Sequence, residues 1–284
     1  MNLKTLGVRC RTALFMVLLS VLACGCANLS AIREFADISV STAEYTNLTE
    51  EYVKWPQTQK RYQPESQYKR LESIAAQRTL QEKTLLLRHS LIEEYMDALG
   101  QLSADEVVTY DKEVNGLGKA AKEAKFIDEK EADAFNAVAK LLFKAATDAW
   151  RQAKLKAFVK TANPDIQRII GGLRRIIDLG YIGDLEDENA AVQKYYKTIV
   201  QESEDKSGIT ALNEWRDAKL ESIASRRKAM EAYSLSLKKI SDGHQKLNDA
   251  VLANRVTSKE FLGQMSRYAK EIRTAYSAIT KLQQ

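Results

Sequence analysis

Three prolines, Pro56, Pro64 and Pro164, and twelve glycines are all that punctuate 284 residues dominated by Ala, Leu, Lys, Glu, Gln and Arg. These residue types favour helix, whereas proline costs about 3 kcal/mol in a helix interior. No stretch alternates β-branched and polar residues between hairpin turns. The chain is therefore predicted to be all-α, an elongated antiparallel multi-helix bundle with long helices. Its three cysteines are Cys10, Cys24 and Cys26. With all of them at the amino end, no disulfide framework can hold the body, and apolar packing must do so.

Apolar spacing and capping signals divide the body. A first helix is expected over 30–55, with Ser30 as its cap and Trp55-Pro56 as its stop. Residues 57–63 read as a polar connector. Pro64 then opens a long helix to about Leu102, roughly 57 Å at 1.5 Å per residue. Ser103 and Glu106 have capping-box spacing, so a return helix is expected through Val107, Val108, Val114 and Leu117, with Gly116 and Gly118 interrupting it. A fourth helix runs from Asp128 to Val159. Asn163-Pro164-Asp165 reads as a restart, followed by the cleanest periodicity in the chain, Ile166, Ile169, Ile170, Leu173, Ile176 and Ile177. Gly171-Gly172 inside it points to tight contact with another helix, and Gly180 with Gly183 to its end. Further helices are expected at 189–203, from Thr210 to a stop at Asp242-Gly243, and from a Thr257/Glu260 capping box to Leu282.

The octapeptide LESIAAQR at 71–78 recurs as LESIASRR at 220–227, with six identities in eight. This repeat predicts an internal duplication of a helical hairpin unit, 30–125 and 185–284, joined by a helical hairpin over 128–180.

Ahead of the body stands ALFMVLLSVLACGC, residues 13–26, behind a leader carrying Lys4, Arg9 and Arg11 and no acid. The apolar run is too short for a permanent span and has the layout of an export signal. Its exit, Leu22-Ala23-Cys24-Gly25-Cys26, resembles the lipobox of bacterial lipoproteins. The resemblance implies that residues 1–25 are removed and that Cys26 becomes the first residue of the mature chain, 26–284, carrying acyl chains. Cys24 is the alternative, though it has Leu22 where that family more often has a small residue. Gly25 or Ala27 with Asn28 follow, without the aspartate that marks inner-membrane retention in the enteric lipoprotein rule. The implied place is the outer membrane, with the body facing the periplasm. Each buried methylene contributes about 0.8 kcal/mol, so several chains moor such a protein without a transmembrane helix.

Removal of the leader takes three of 43 basic residues, leaving 40 against 38 acidic ones. A near-neutral body gives no case for nucleic acid. One stretch departs from neutrality. Lys140, Lys144, Arg151, Lys154, Lys156, Lys160, Arg168, Arg174 and Arg175 face only Asp148 and Asp165 in sequence. A contact with an anionic envelope component, such as lipid head groups, is the functional reading. The bland one is a solvated face balanced across the fold by the acids of 184–188.

No motif for metal hydrolysis, thiol redox, serine hydrolysis or nucleotide binding is present. His89 and His244 read as solvated helix histidines, and the tyrosines, Tyr195 and Tyr196 among them, as core or bundle-rim residues. No catalytic residue, metal or cofactor is expected. The chain thus reads as a non-enzymatic, membrane-tethered envelope lipoprotein acting through contacts with an envelope protein or anionic component. A second reading is a membrane-inserting or remodelling protein using the isoleucine-rich 166–177. A third, a carboxylate enzyme, would need two acids converging in an open cleft.

Overall fold

The computed structural model describes residues 29–109 and 129–281, and among them all regular structure is helical. Eight α-helices follow one another: α1 Ser30–Ala43, α2 Asn47–Gln59, α3 Tyr68–Ser103, α4 Glu129–Thr147, α5 Leu155–Arg175, α6 Ile182–Glu202, α7 Lys206–Leu252 and α8 Lys259–Lys281. A π-helical turn, Ile176–Tyr181, joins α5 to α6 without a break. At 47 residues α7 is roughly 70 Å long, so the bundle is elongated as expected.

Four helices enclose the core in cyclic order α3, α1, α7, α5, each packed on its two neighbours. The two long helices run in the same direction: α3 residues 89 and 95 meet α7 residues 233 and 244. Their neighbours run opposite, since Gly100 lies by Ala36 on α1, and Asn163, Gln167 and Arg174 on α5 meet Gln245, Ser241 and Ser234 on α7. Phe35, Ile92, Tyr95, Leu99, Phe158, Ile166, Ile170, Tyr233, Leu237 and Ile240 are almost wholly buried between them. Helix α8 covers α7 and α1, α4 covers α3 and α5, and α2 and α6 lie on α3 and α7.

Several expected boundaries are displaced, each for a physical reason. The first predicted helix is two, broken at 44–46, and Pro56 lies inside α2 instead of ending at it. Proline at 56 cannot donate to the Tyr52 carbonyl, and Arg78 Nη1 donates to that oxygen instead at 2.9 Å. The expected connector 57–63 is helical to Tyr62. Pro64 is extended, and α3 begins four residues later.

Asn163-Pro164 is no restart, because α5 passes through it. Pro164 and Lys160, whose carbonyl it leaves unbonded, are exposed to water, and the Asn163 side chain reaches across to α7. Gly180 and Gly183 likewise lie within continuous helix. The predicted 128–159 helix breaks after Thr147, and Asp128 lies outside the described residues. Ser103 ends α3, its hydroxyl donating to the Leu99 carbonyl, so it caps no following helix. The remainder of that expected return helix, with Gly116 and Gly118, lies outside the described residues. Its C-terminal counterpart is better placed, although Ser258, and not Thr257, accepts from an α8 amide, that of Phe261 at 3.3 Å. Asp205 caps α7, upstream of the expected Thr210.

Asp242-Gly243 is no stop either: α7 continues to Leu252. A Cβ on Gly243 would lie 2.5 Å from the Phe35 ring, so the glycine is there for the approach of α1. Gly243→Ala is expected to cost about 1–3 kcal/mol by overpacking, read as a lowered midpoint in urea with an unchanged slope. Of the Gly171-Gly172 pair, Gly172 meets the expected tight contact, since a Cβ there would collide with the Glu131 carboxylate, while Gly171 faces open space.

The two octapeptides occupy α3 and α7, and Arg78 and Arg227 precede the ends of their helices by the same interval. Asp105 and Asn254, with φ of 61° and 55°, then close the two helices in the same left-handed way. The copies differ otherwise: Leu71 and Arg78 are buried in one, Ile223 in the other, and they lie at different distances from their helix starts.

Candidate functional site

The histidines differ most from expectation, because both are core residues. His244 Nδ1 donates to Asn163 Oδ1 at 2.9 Å, and Tyr95 donates to its Nε2 at 2.6 Å. His89 Nδ1 donates to the Ala43 carbonyl at 3.0 Å, beside Tyr233 and Thr49. In both, a carbonyl acceptor fixes the Nδ1–H tautomer of a neutral ring. Burial lowers His89 to about 4, with the Arg88 charge adding to it, and lowers His244 to about 3. The void beside His89 is about 20 Å³, room for a water and not for a substrate.

Buried ion pairs run along the bundle. Arg88 grips Glu131 with two bonds of 2.6 and 2.8 Å, both side chains nearly inaccessible. Arg78 pairs with Asp184 at 2.6 Å while its guanidinium lies 4.0 Å from the Tyr52 ring centre and 5.1 Å from that of Trp55. Desolvation raises Asp184 in spite of Arg78. Glu188 takes Arg226 at 2.7 Å and Lys219 at 3.1 Å, and Tyr181 donates to Glu51. Asp184, Glu186 and Glu188 thus pair with cations on α3 and α7, not with the cationic 140–175 stretch they were expected to balance.

Where α2, the start of α3 and α6 diverge, they leave a groove of about 770 Å³, within the range of small-ligand sites. Leu71, Ile74 and Ala191 form apolar wall, Gln63, Gln67 and Thr198 polar wall, and Arg70, Lys194 and Asp187 charged wall. Tyr62 and Tyr195 meet edge to face at 5.5 Å at its rim. At its floor three buried polar atoms lack any partner: Trp55 Nε1 and both amide atoms of Gln59. Gln59 is 1 % exposed. Unpaired buried groups cost about 1–3 kcal/mol each, so a folded protein seldom leaves three together. Among the described residues that line the groove one is an acid, Asp187, so no two of them bring carboxylates together there.

Sequence reasoning took Tyr195 as a core or bundle-rim residue and not as part of a binding surface, and it missed the groove, because Gln59 carries no local signal in a polar segment. Of the basic candidates, eight are exposed and Arg174 is half-buried against Asp178 and Ser234. Arg151 donates to the Asp105 carbonyl, Lys156 to Asn254, and Lys154 lies over the Trp150 ring. These three therefore gather where α3 and α7 end, a position that favours cations. Arg168, Arg174 and Arg175 lie further along α5, so the nine form no single patch.

Cys24 and Cys26 lie outside the described residues. The apolar face of 166–177 packs into the core, with Ile166, Ile169, Ile170 and Leu173 at most 2 % exposed. Membrane insertion by this segment would have to withdraw it from there. Among the described residues no helix is long and apolar enough to cross a membrane, and no cluster of three potential metal ligands occurs. Compared with family models, curated proteins and solved structures, the chain matches none.

Proposed function

We propose that the chain is a non-enzymatic envelope lipoprotein, moored to the outer membrane by acyl chains on Cys26, that holds the α2/α3/α6 groove away from the lipid. The observation that carries this reading is the placement of the two ends. Leu29, where α1 begins, is three residues after Cys26, at most about 11 Å along the chain. It lies at the end of the bundle where α3 closes, since Arg33 pairs with Glu106. Arg151, Lys154 and Lys156 share this end with Arg255, although Asp105, Glu106 and Asp148 partly offset them. A basic end beside an acylated cysteine suits an anionic head-group layer. The groove lies at the opposite end of α3, and the run from Leu71 to Ser103 separates the two by about 48 Å.

Cys26→Ser is expected to abolish palmitate incorporation and to move the protein from the membrane to the soluble envelope fraction. If Cys24→Ser does so instead, Cys24 is the anchor; if neither does, the reading fails. Lys154→Glu, Lys156→Glu and Lys160→Glu together are expected to weaken co-sedimentation with anionic vesicles by about 1 kcal/mol per charge. Unchanged binding would remove the head-group contact. A duplicated origin for 30–125 and 185–284 is supported by the shared interval to the left-handed helix closures, and the unlike buried positions weigh against it.

A further inference from the structure

We propose that the groove binds an uncharged saccharide bearing acetamido groups, with the Gln59 carboxamide pairing to the ligand amide. This rests on the groove being the working site of the reading above.

The argument begins with the floor. Gln59 offers one donor and one acceptor side by side, and Trp55 adds an indole N–H, all buried without partners. A secondary amide presents the matching acceptor and donor, so one acetamido group satisfies both ends of Gln59. An ionic ligand would satisfy only one kind of atom. The wall charges nearly cancel, with Arg70 and Lys194 against Asp187, so they hold at most one net positive charge among uncharged polar and apolar residues. A ligand reaching the floor must displace the side chains that cover it, and pairing the orphaned atoms offsets that displacement.

A peptide also carries amides, but the walls here, apart from the two extended residues Gln63 and Pro64, are helices whose backbone groups are already bonded. They offer no free edge for an extended peptide to pair with. A helical peptide would place apolar anchors over the floor and leave Gln59 and Trp55 unpaired, which is the costly arrangement already present. Recognition must come from side chains, which suits an amide carried as a substituent on a rigid ring. The rim supplies the rest. Tyr195 is 37 % exposed and stands at 80° to Tyr62, whose ring is held by Lys219 and Tyr196. Two rings at that angle form a corner that a pyranose can enter with its C–H face on one of them.

The test is calorimetric titration of the full lipidated chain in detergent with the trimer of N-acetylglucosamine, with its deacetylated trimer, and with a capped trialanine. Binding of the acetylated trimer, at least ten-fold tighter than either other probe, is expected. Gln59→Leu should weaken that binding ten-fold or more while the melting temperature holds or rises, because it removes two unpaired polar atoms. Tyr195→Ala, at an exposed position, should weaken binding without shifting the melting temperature. Equal binding by the deacetylated trimer, tighter binding by trialanine, no binding of the acetylated trimer, or full binding by Gln59→Leu would each overturn the proposal. Membrane fractionation of the same preparations reports the tether separately, so loss of saccharide binding alone leaves the lipoprotein reading standing.

Discussion

Glu131→Ala is expected to lower stability by about 3–5 kcal/mol, because it removes the carboxylate that takes two hydrogen bonds from the buried Arg88 guanidinium. Arg88 is 2 % exposed and its two bonds to Glu131 join α3 to α4. Gly172 lies close against the Glu131 carboxylate. For a body of this size the loss corresponds to a melting temperature lower by roughly 10 °C. The double variant Arg88→Met with Glu131→Leu should recover most of it, since an apolar pair of similar volume needs no desolvation of charge. Thermal melts of the single and double variants decide the matter. Equal losses in both would mean that the helices, not the charges, depend on this contact.

Acidification from pH 7 to pH 5 is expected to destabilise the fold by about 4 kcal/mol through the two buried histidines. The sign follows from where the protons go. The unfolded chain binds them near the ordinary histidine value of 6.5, whereas the folded rings resist until about 4 at His89 and about 3 at His244. Their contribution is thus present above pH 6.5 and is lost as pH falls toward the folded values. Asp184 acts in the opposite direction, because burial raises it and a protonated carboxyl favours the folded state. Net stability against pH therefore mixes the two, and the variants separate them. His89→Gln and His244→Gln should each remove about one proton from the slope between pH 4.5 and 6, measured by urea unfolding. A slope unchanged in both would mean that the rings are not the groups that titrate.

The all-helical class was legible because composition and spacing act along the whole chain, while the ends of helices depend on single contacts. Pro56 and Gly243 carry sequence signals for stopping, yet Arg78 takes the carbonyl freed by one and Phe35 needs the space left by the other. The real stops at Asp105, Ala149 and Asn254 adopt the left-handed conformation without glycine, so they carried little signal. Ala149 does so at a cost of about 1–2 kcal/mol. The histidines looked solvated because their flanking residues are polar. Their partners come from elsewhere, with Tyr95 lying 149 residues from His244. The groove was unreadable for the same reason, since α2, α3, the segment between them and the distant α6 all contribute to a surface that no single segment announces.

The π-helical turn at Ile176–Tyr181 sets the angular phase of everything after it. It takes up one residue more than an α-turn, so it rotates the downstream helix by roughly 100° relative to an uninterrupted one. That offset brings Asp184 to Arg78, Glu188 to Arg226 and Tyr195 to Tyr62. It also leaves Leu179 pointing into water, 76 % exposed. Were this turn one residue shorter, α6 would keep its length and composition yet present the wrong flank on every turn. A single surplus residue thereby acts as the indexing pin of one whole wall.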